Sequence, residues 1–239
     1  MLGSSKAPDA LYPFTEAHGD YFKNSARALP TPTNADGTTA PFQIAAIFIY
    51  SSPREWGLDL QIITDLLLSE KGKFGTHSLL NGNSSLPNNG YLQDGQPKIY
   101  FANPDINFAT KYPLPRICQG TFKLALKGMW KGLTGTELTN KHYIQIGKLT
   151  QLQYEYGERA HRAFYKTDFK KLYMVGDGPR SDIVGANNYK SPFGSVWDSI
   201  LVQTGIHKAG TVPSHTPTVE VGNVLDAVKW ALEQEGWPM

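Results

Sequence analysis

Apolar residues fall in short blocks along this chain, separated by polar stretches rich in Gly, Pro, Asn and Ser. Residues 44–50 (IAAIFIY) are apolar throughout, which predicts a strand buried on both faces. Ser52-Pro-Arg-Glu55 then has the form of a capping box with Pro at the first helical position, so Arg54 and Glu55 are read as helix-start residues. Trp56, Leu60, Ile63 and Leu67 recur at helical spacing and predict an amphipathic helix over that strand. Residues 72–96, dense in Gly, Asn and Ser, read as a mobile surface loop, and residues 29–40 as another loop. A short strand is expected at 99–102, ending at Asn103-Pro-Asp105, and a helix at 122–133. Ile144 and Ile146 lead into Gly147-Lys148, after which Thr150 caps a helix with Leu152, Tyr156, Ala160 and Phe164 on one face. A strand at 172–175, a short helix near Asp182, a strand at 199–202 and a last helix from Asn223 complete the series. In that last helix Leu225, Val228 and Leu232 are expected to face the core. Such alternation predicts an α/β fold whose parallel sheet is joined by crossover helices.

Composition narrows the function classes. A chain of 239 residues, 40% hydrophobic and 18% charged, can bury a substantial core. Its formal charge of +2, with no Lys/Arg cluster interleaved with aromatics, gives no nucleic-acid face. The single Cys118 excludes an internal disulfide framework and reads as a buried apolar thiol. No apolar run reaches the about 18 residues of a spanning helix, and the first nine residues lack a signal-peptide pattern. The His residues lack ligand spacing, so a zinc site is not expected.

Chemistry concentrates at the end of the 172–175 strand, where Gly176 is followed by Asp177 and, five residues on, Asp182. The carboxyl ends of parallel strands are where α/β folds keep their ligands, and two acids there can share one hard divalent cation, Mg²⁺ above all. Asp182 alone could be a helix-start acid favoured by the helix dipole, a role compatible with metal binding. Lys148 lies at a strand-to-helix turn one crossover earlier and would open onto the same edge. Phosphoryl transfer needs such a fixed positive charge, a metal and an in-line nucleophile. Asn103-Pro-Asp105 reads equally as a plain turn or as a substrate contact.

Gly-Asp-x-x-x-x-Asp after a strand resembles the fourth motif of the haloacid dehalogenase (HAD) superfamily, which consists mostly of Mg²⁺-dependent phosphatases. The likeness extends to residues 52–67, to Asn103-Pro-Asp105, Tyr112-Pro-Leu-Pro-Arg116, Gln119-Gly120, Ile146-Gly-Lys148 and Tyr154-Glu-Tyr156. Together they are similar to subfamily IIA hydrolases of the cat-eye-syndrome critical region type, common in fungi and often mitochondrial. The resemblance runs from about residue 41 to the C-terminus. It implies a Rossmann-like HAD core, of which residues 143–239 would be the C-terminal part, and a C2-type α/β cap, part of which would lie in residues 1–142. It also implies Lys148 as the third motif's lysine, Asp177 and Asp182 as metal ligands, and Asn103 and Asp105 near a small phosphorylated substrate. Glycerophospholipid metabolism is one setting of such relatives.

One departure from the family is as informative as the match. No Asp in the chain is followed two residues later by another Asp, so the Asp-x-Asp motif that supplies nucleophile and acid/base is missing. The chain therefore reads as the C-terminal portion of a longer or truncated protein, without turnover by itself. An incomplete core would expose a sheet edge and favour self-association. Other chemistries fit poorly: Gly176-x-Gly178-x-x-Ser181 is a defective dinucleotide fingerprint, because Asp177 repels a pyrophosphate and Pro179 lacks a backbone donor. Neither Gly-x-Ser-x-Gly nor Gly-x4-Gly-Lys-Ser/Thr occurs. A non-catalytic HAD-derived binding or regulatory protein is the alternative.

Overall fold

A computed structural model describes residues 32–40 and 42–238. Most of the expected N-terminal loop lies outside the described residues; its remainder, 34–38, is a turn flanked by a bridge between Thr33 and Thr39. The chain forms two compact units, the first reaching Tyr100 and resuming at Phe122–Ile144, the second comprising Phe101–Thr121 and Gln145–Met239. The last of the three crossings between them is at 144/145, against the expected boundary at 142/143. Residues 101–121, however, belong with the C-terminal unit, to which Asp105 is tied through its ion pair with Lys148.

The first unit is built on a three-stranded sheet in the order β1 (Ala46–Ile49), β2 (Lys98–Phe101), β5 (Tyr143–Gln145). Helix α1 (Trp56–Leu68) buries Leu58, Ile63, Leu66 and Leu67, as the helical spacing predicts. Helix α2 (Gln119–Thr134) contributes Phe122, Leu126 and Trp130, all fully buried. Trp56 meets Phe122 edge to face at 5.4 Å between ring centroids, which joins the two helices. Two expectations fail here. β1 is not buried on both faces: Ile49 is buried, but Phe48 and Tyr50 stand exposed and stack in a row with Tyr100. An all-apolar run cannot by itself tell a two-sided interior strand from one with an aromatic outer face. Nor is Ser52 the helix cap: Glu55 is, without a side-chain cap bond, and Trp56 Nε1 donates back to Pro53 O at 2.8 Å. Residues 72–96 are irregular, yet side chains tie them down. Asn81 Nδ2 donates to Leu68 O at 2.8 Å, and Ser78 Oγ to Asp94 Oδ2 at 2.8 Å.

In the second unit β6 (Lys171–Gly176), β7 (Val196–Val202) and β8 (Val219–Val221) form a parallel sheet in that order, with Gly176 opposite Leu201 and Val202 opposite Val221. Alternate residues of β6 point to opposite faces. Met174 packs with Tyr154, Ala186 and Tyr189, from α3 (Gln151–Tyr165) and around α4 (Val184–Asn188). Tyr173 and Val175 pack with Ala227, Trp230 and Ala231 of α5 (Val224–Gln234). Helices thus cover both faces of a parallel sheet, the α/β architecture expected. A short hairpin of β3 (Asn107–Phe108) and β4 (Arg116–Ile117) leads into α2.

Thr150 caps α3 as expected, its side chain accepting from Gln153 N. The helix is turned, however, relative to the expected face. Leu152, Tyr156 and Phe164 are exposed, and Tyr154 and Glu158 are buried. Glu158 is fully enclosed, and its carboxylate accepts from Arg162 Nε and Nη2 at 3.1 and 3.0 Å, Ser191 Oγ at 3.0 Å, Ser195 Oγ at 2.5 Å, Tyr189 OH at 3.2 Å and Trp197 Nε1 at 3.3 Å. α5 differs in the same way: Leu225, Val228 and Leu232 face outward, and Ala227 is the residue it buries. No helix among the described residues is long and apolar enough to cross a membrane.

Burial pushes the Glu158 carboxyl up, but the bonds from Ser195, Ser191, Arg162 and Trp197 outweigh it and hold it below its ordinary 4.5. A lowered folded value means that the ionised form stabilises the fold. That contribution is complete above the unfolded value and is lost as pH falls through the folded one. Glu158→Ala should therefore cost about 3 kcal/mol at neutral pH, by leaving the enclosed Tyr189, Trp197, Ser191 and Arg162 donors without their shared acceptor. In urea melts the gap between wild type and variant should narrow below about pH 4.5; a gap independent of pH would contradict this assignment.

Candidate functional site

Three loops of the second unit carry the chemistry. The first is the turn after β5. Ile146 N–H donates to Phe101 O at 2.8 Å, and Thr150 N–H to Gly147 O at 3.1 Å, closing a turn with Lys148 inside it. Gly147 has φ 90°, and a Cβ there would stand 1.9 Å from the Ala102 carbonyl oxygen, so only glycine lets the chain pass. Leu149 follows at φ 76°, unusual for a leucine, and lines the site.

The second loop follows β6. Asp177 sits at its start, and Pro179–Ile183 form a π-helical turn carrying Asp182. Asp182 Oδ2 accepts from Gly178 N–H at 3.0 Å, and the Tyr154 hydroxyl donates to the Asp182 carbonyl at 3.1 Å. Burial, with the charge of Asp182 nearby, pushes the Tyr154 phenol up to about 12, so it stays a donor.

The third loop follows β7 and fixes Asp177. Ile206 N–H donates to Asp177 Oδ2 at 2.7 Å and His207 N–H to Asp177 O at 3.2 Å. A Cβ on Gly205 would stand 1.8 Å from that same Oδ2. His207, itself buried, lies with Nε2 2.9 Å from Glu220 Oε1, to which Gln203 Nε2 also donates at 2.7 Å. Those contacts, Gln203 first, hold the Glu220 carboxyl below its usual range.

Lys148 joins the first two loops electrostatically. Its Nζ is 3.1 Å from Asp105 Oδ2 and 3.2 Å from Asp182 Oδ1, and the Asp182 side chain is only 3% exposed. Burial opposes the lysine's charge, yet Asp182 and Asp105 together raise its proton affinity above the ordinary value. For Asp182 burial dominates and raises the carboxyl, despite the opposing pull of Lys148 and the Gly178 N–H. Asp105, Lys148 and Asp177 line a cavity of about 510 Å³, walled also by Ile106, Phe108, Val212 and Pro213. That volume suits a small-molecule ligand.

Of the residues singled out from sequence, Lys148, Asp105 and Asp182 touch one another, and Asp177 lines the same cavity. Asn103 is differently employed. Its Oδ1 accepts from Asp105 N–H at 2.8 Å, its Nδ2 lies 3.8 Å from Cys118 Sγ, and its own N–H donates to the buried Gln119 Oε1 at 2.7 Å. It shapes the turn that presents Asp105 and does not line the cavity. Sequence reasoning named Tyr154 within a motif without giving it a role, and passed over Arg180, Gly205 and His207, which carried no signal.

Replacing Gly205 by Ala should displace the Asp177 carboxylate and destabilise the second unit by about 1–3 kcal/mol, the usual range for overpacking a filled site. The check is a chemical-denaturation midpoint, with Gly157→Ala in α3 as control, since Gly157 has open space where its Cβ would go and no positive φ. An unchanged midpoint for Gly205→Ala would show that the loop does not hold Asp177 this way.

Residues 145–228, which lie in the second unit, match the model of a HAD-hydrolase-like family. A cardiolipin synthase (CMP-forming)/mitochondrial hydrolase fusion protein of Schizosaccharomyces pombe is 38% identical over 80% of this chain and 29% of its own length. A mitochondrial hydrolase of Saccharomyces cerevisiae is 30% identical over 94% of this chain and 63% of its own. The chain thus spans less than two thirds of either curated relative. Among solved structures, a hypothetical protein of Pyrococcus horikoshii is 21% identical with a TM-score of 0.39, covering 57% of this chain and 45% of that one. A possible sugar phosphatase of the HAD superfamily from Cytophaga hutchinsonii is 23% identical with a TM-score of 0.36, covering 53% and 42%. Residues 145–228 thus carry the features of a HAD-like hydrolase family, and the chain as a whole is similar to both fungal hydrolases.

Proposed function

We propose that the second unit binds a small phosphate monoester together with Mg²⁺, at a site descended from the phosphoryl-transfer centre of the HAD hydrolases. One observation carries this reading: Lys148 lies between Asp105 and Asp182 at a cavity that Asp177 also lines. Asp177 and Asp182 would hold the cation. Among the described residues no three His, Cys, Asp or Glu side chains converge as a metal site. Two carboxylates still fit Mg²⁺, which takes one or two from protein and completes its octahedron with water and phosphate oxygens. Such an ion, when bound, would neutralise charge on the phosphoryl group. Lys148 would set a positive charge against the same oxygens, and Asp105 would hold Lys148 in place and contact the substrate. Ile206 N–H and the Gly205 approach keep the Asp177 carboxylate in one orientation before any ligand arrives. The first unit is read as part of the cap, and residues 143–239 as part of the core. A mitochondrial setting is supported by the names of both fungal relatives.

Hydrolysis through an aspartyl-phosphate needs an aspartate nucleophile and a second acid, and the sequence offers no Asp-x-Asp to supply them. We infer that this chain by itself binds without turnover. That observation favours the second reading as well, a non-catalytic HAD-derived binding or regulatory protein.

Two experiments test these readings. Inorganic phosphate with Mg²⁺ should raise the melting temperature of the purified chain, as ligand binding to the folded state requires. Lys148→Met should weaken phosphate binding about tenfold or more in calorimetry, the loss of one charge-assisted contact. Phosphate affinity that Lys148→Met leaves intact would end the assignment of this lysine. Separately, p-nitrophenyl phosphate should not be hydrolysed above the buffer rate. Mg²⁺-dependent turnover that disappears in Asp177→Asn would overturn the non-catalytic inference and restore an enzyme.

A further inference from the structure

The charges around the cavity are unevenly paired. Lys148 is shared by Asp105 and Asp182, and His207 faces Glu220. Asp177 accepts its bond from a backbone N–H, not from a cation. Arg180 lines the same cavity, is exposed, and its guanidinium engages no hydrogen bond or ion pair among the described residues. A guanidinium in a cavity wall without a carboxylate partner is suited to a ligand's anion, since its planar fork binds carboxylate or phosphate through two parallel bonds. Its exposure also matters. Asp182 is nearly inaccessible and Lys148 half-buried, whereas Arg180 is exposed, so an incoming ligand reaches it more freely than those two charges. Pro179 fixes the backbone just before it, and Asp182 Oδ2 holds the Gly178 N–H, so the loop that carries Arg180 is constrained.

We propose that Arg180 is a specificity-determining residue. It binds a second anionic group of the substrate, remote from the phosphoryl group that Lys148 and the two metal-site aspartates would take. The substrate class is then a phosphate monoester that also carries a carboxylate or a second phosphate. This inference rests on the phosphate-site reading above. A cavity of about 510 Å³ has room for both groups and a short carbon linker.

The test uses the full chain with Mg²⁺ and calorimetric titration of four probes: inorganic phosphate, glycerol 3-phosphate, 3-phosphoglycerate and glycerol 1,3-bisphosphate. The wild type should bind at least one of the two doubly anionic probes about five- to tenfold more tightly than glycerol 3-phosphate, as expected for a guanidinium–anion contact at a partly exposed site. Which of them is preferred identifies the second group. Arg180→Gln should bring that ratio close to one, and Arg180→Lys should keep part of it, because a point charge remains without the fork. A thermal melt verifies folding of both variants. If inorganic phosphate fails to bind the wild type, the phosphate-site reading and this inference fall together. If phosphate binds but the wild type shows no preference, or Arg180→Gln keeps it, only the role of Arg180 is overturned.

Discussion

A single stripe along α3 fixes the second unit: Thr150, Tyr154, Glu158 and Arg162, spaced four residues apart and therefore stacked on one helix face. Thr150 starts the helix directly after the Lys148 turn. Tyr154 anchors the carbonyl of Asp182. Glu158 and Arg162 form a buried ion pair whose remaining hydrogen-bonding capacity is met by Ser191, Ser195, Tyr189 and Trp197. A carboxylate taken fully out of water persists only with such complete satisfaction. It therefore specifies one orientation of α3 against β6 and β7. Every other contact of the site inherits that orientation.

The site is a second consequence of the same economy. Burial opposes the charge on Lys148 and its two acids favour it, while for Asp182 burial raises the carboxyl against the pull of Lys148. The Asp105–Lys148–Asp182 chain thereby ties a turn of residues 103–105 to the loop after β6. Asp177 is handled differently, by a backbone donor and a glycine that leaves room for it. The arrangement orders acids, cation and cavity without any ligand, which is what preorganised electrostatics demands of a phosphate site.

Much of this was legible from residues alone. The strand-turn-acid pattern at 172–182, the Gly147-Lys148 turn, the Thr150 cap and the alternation of strands and helices are local features, set by backbone conformations that few residue types adopt. The likeness to the HAD hydrolases followed from the same short motifs.

What periodicity misjudged was which face of a helix or strand turns inward. In α3 the apolar Leu152, Tyr156 and Phe164 lie outside, and Tyr154 and a glutamate lie inside. In α5 Ala227 is buried and Leu225 is not, and β1 shows its aromatics to solvent. Asn103 braces its own loop and Arg180 lines the cavity, placements that depend on segments brought together only by folding. The sequence determined the elements, their order and the carboxyl-edge motifs, because these follow from local steric and capping rules. The tertiary structure alone decided the buried faces and the pairing of charges. A buried carboxylate takes its stability from donors more than thirty residues away, and no local pattern of apolar positions records them.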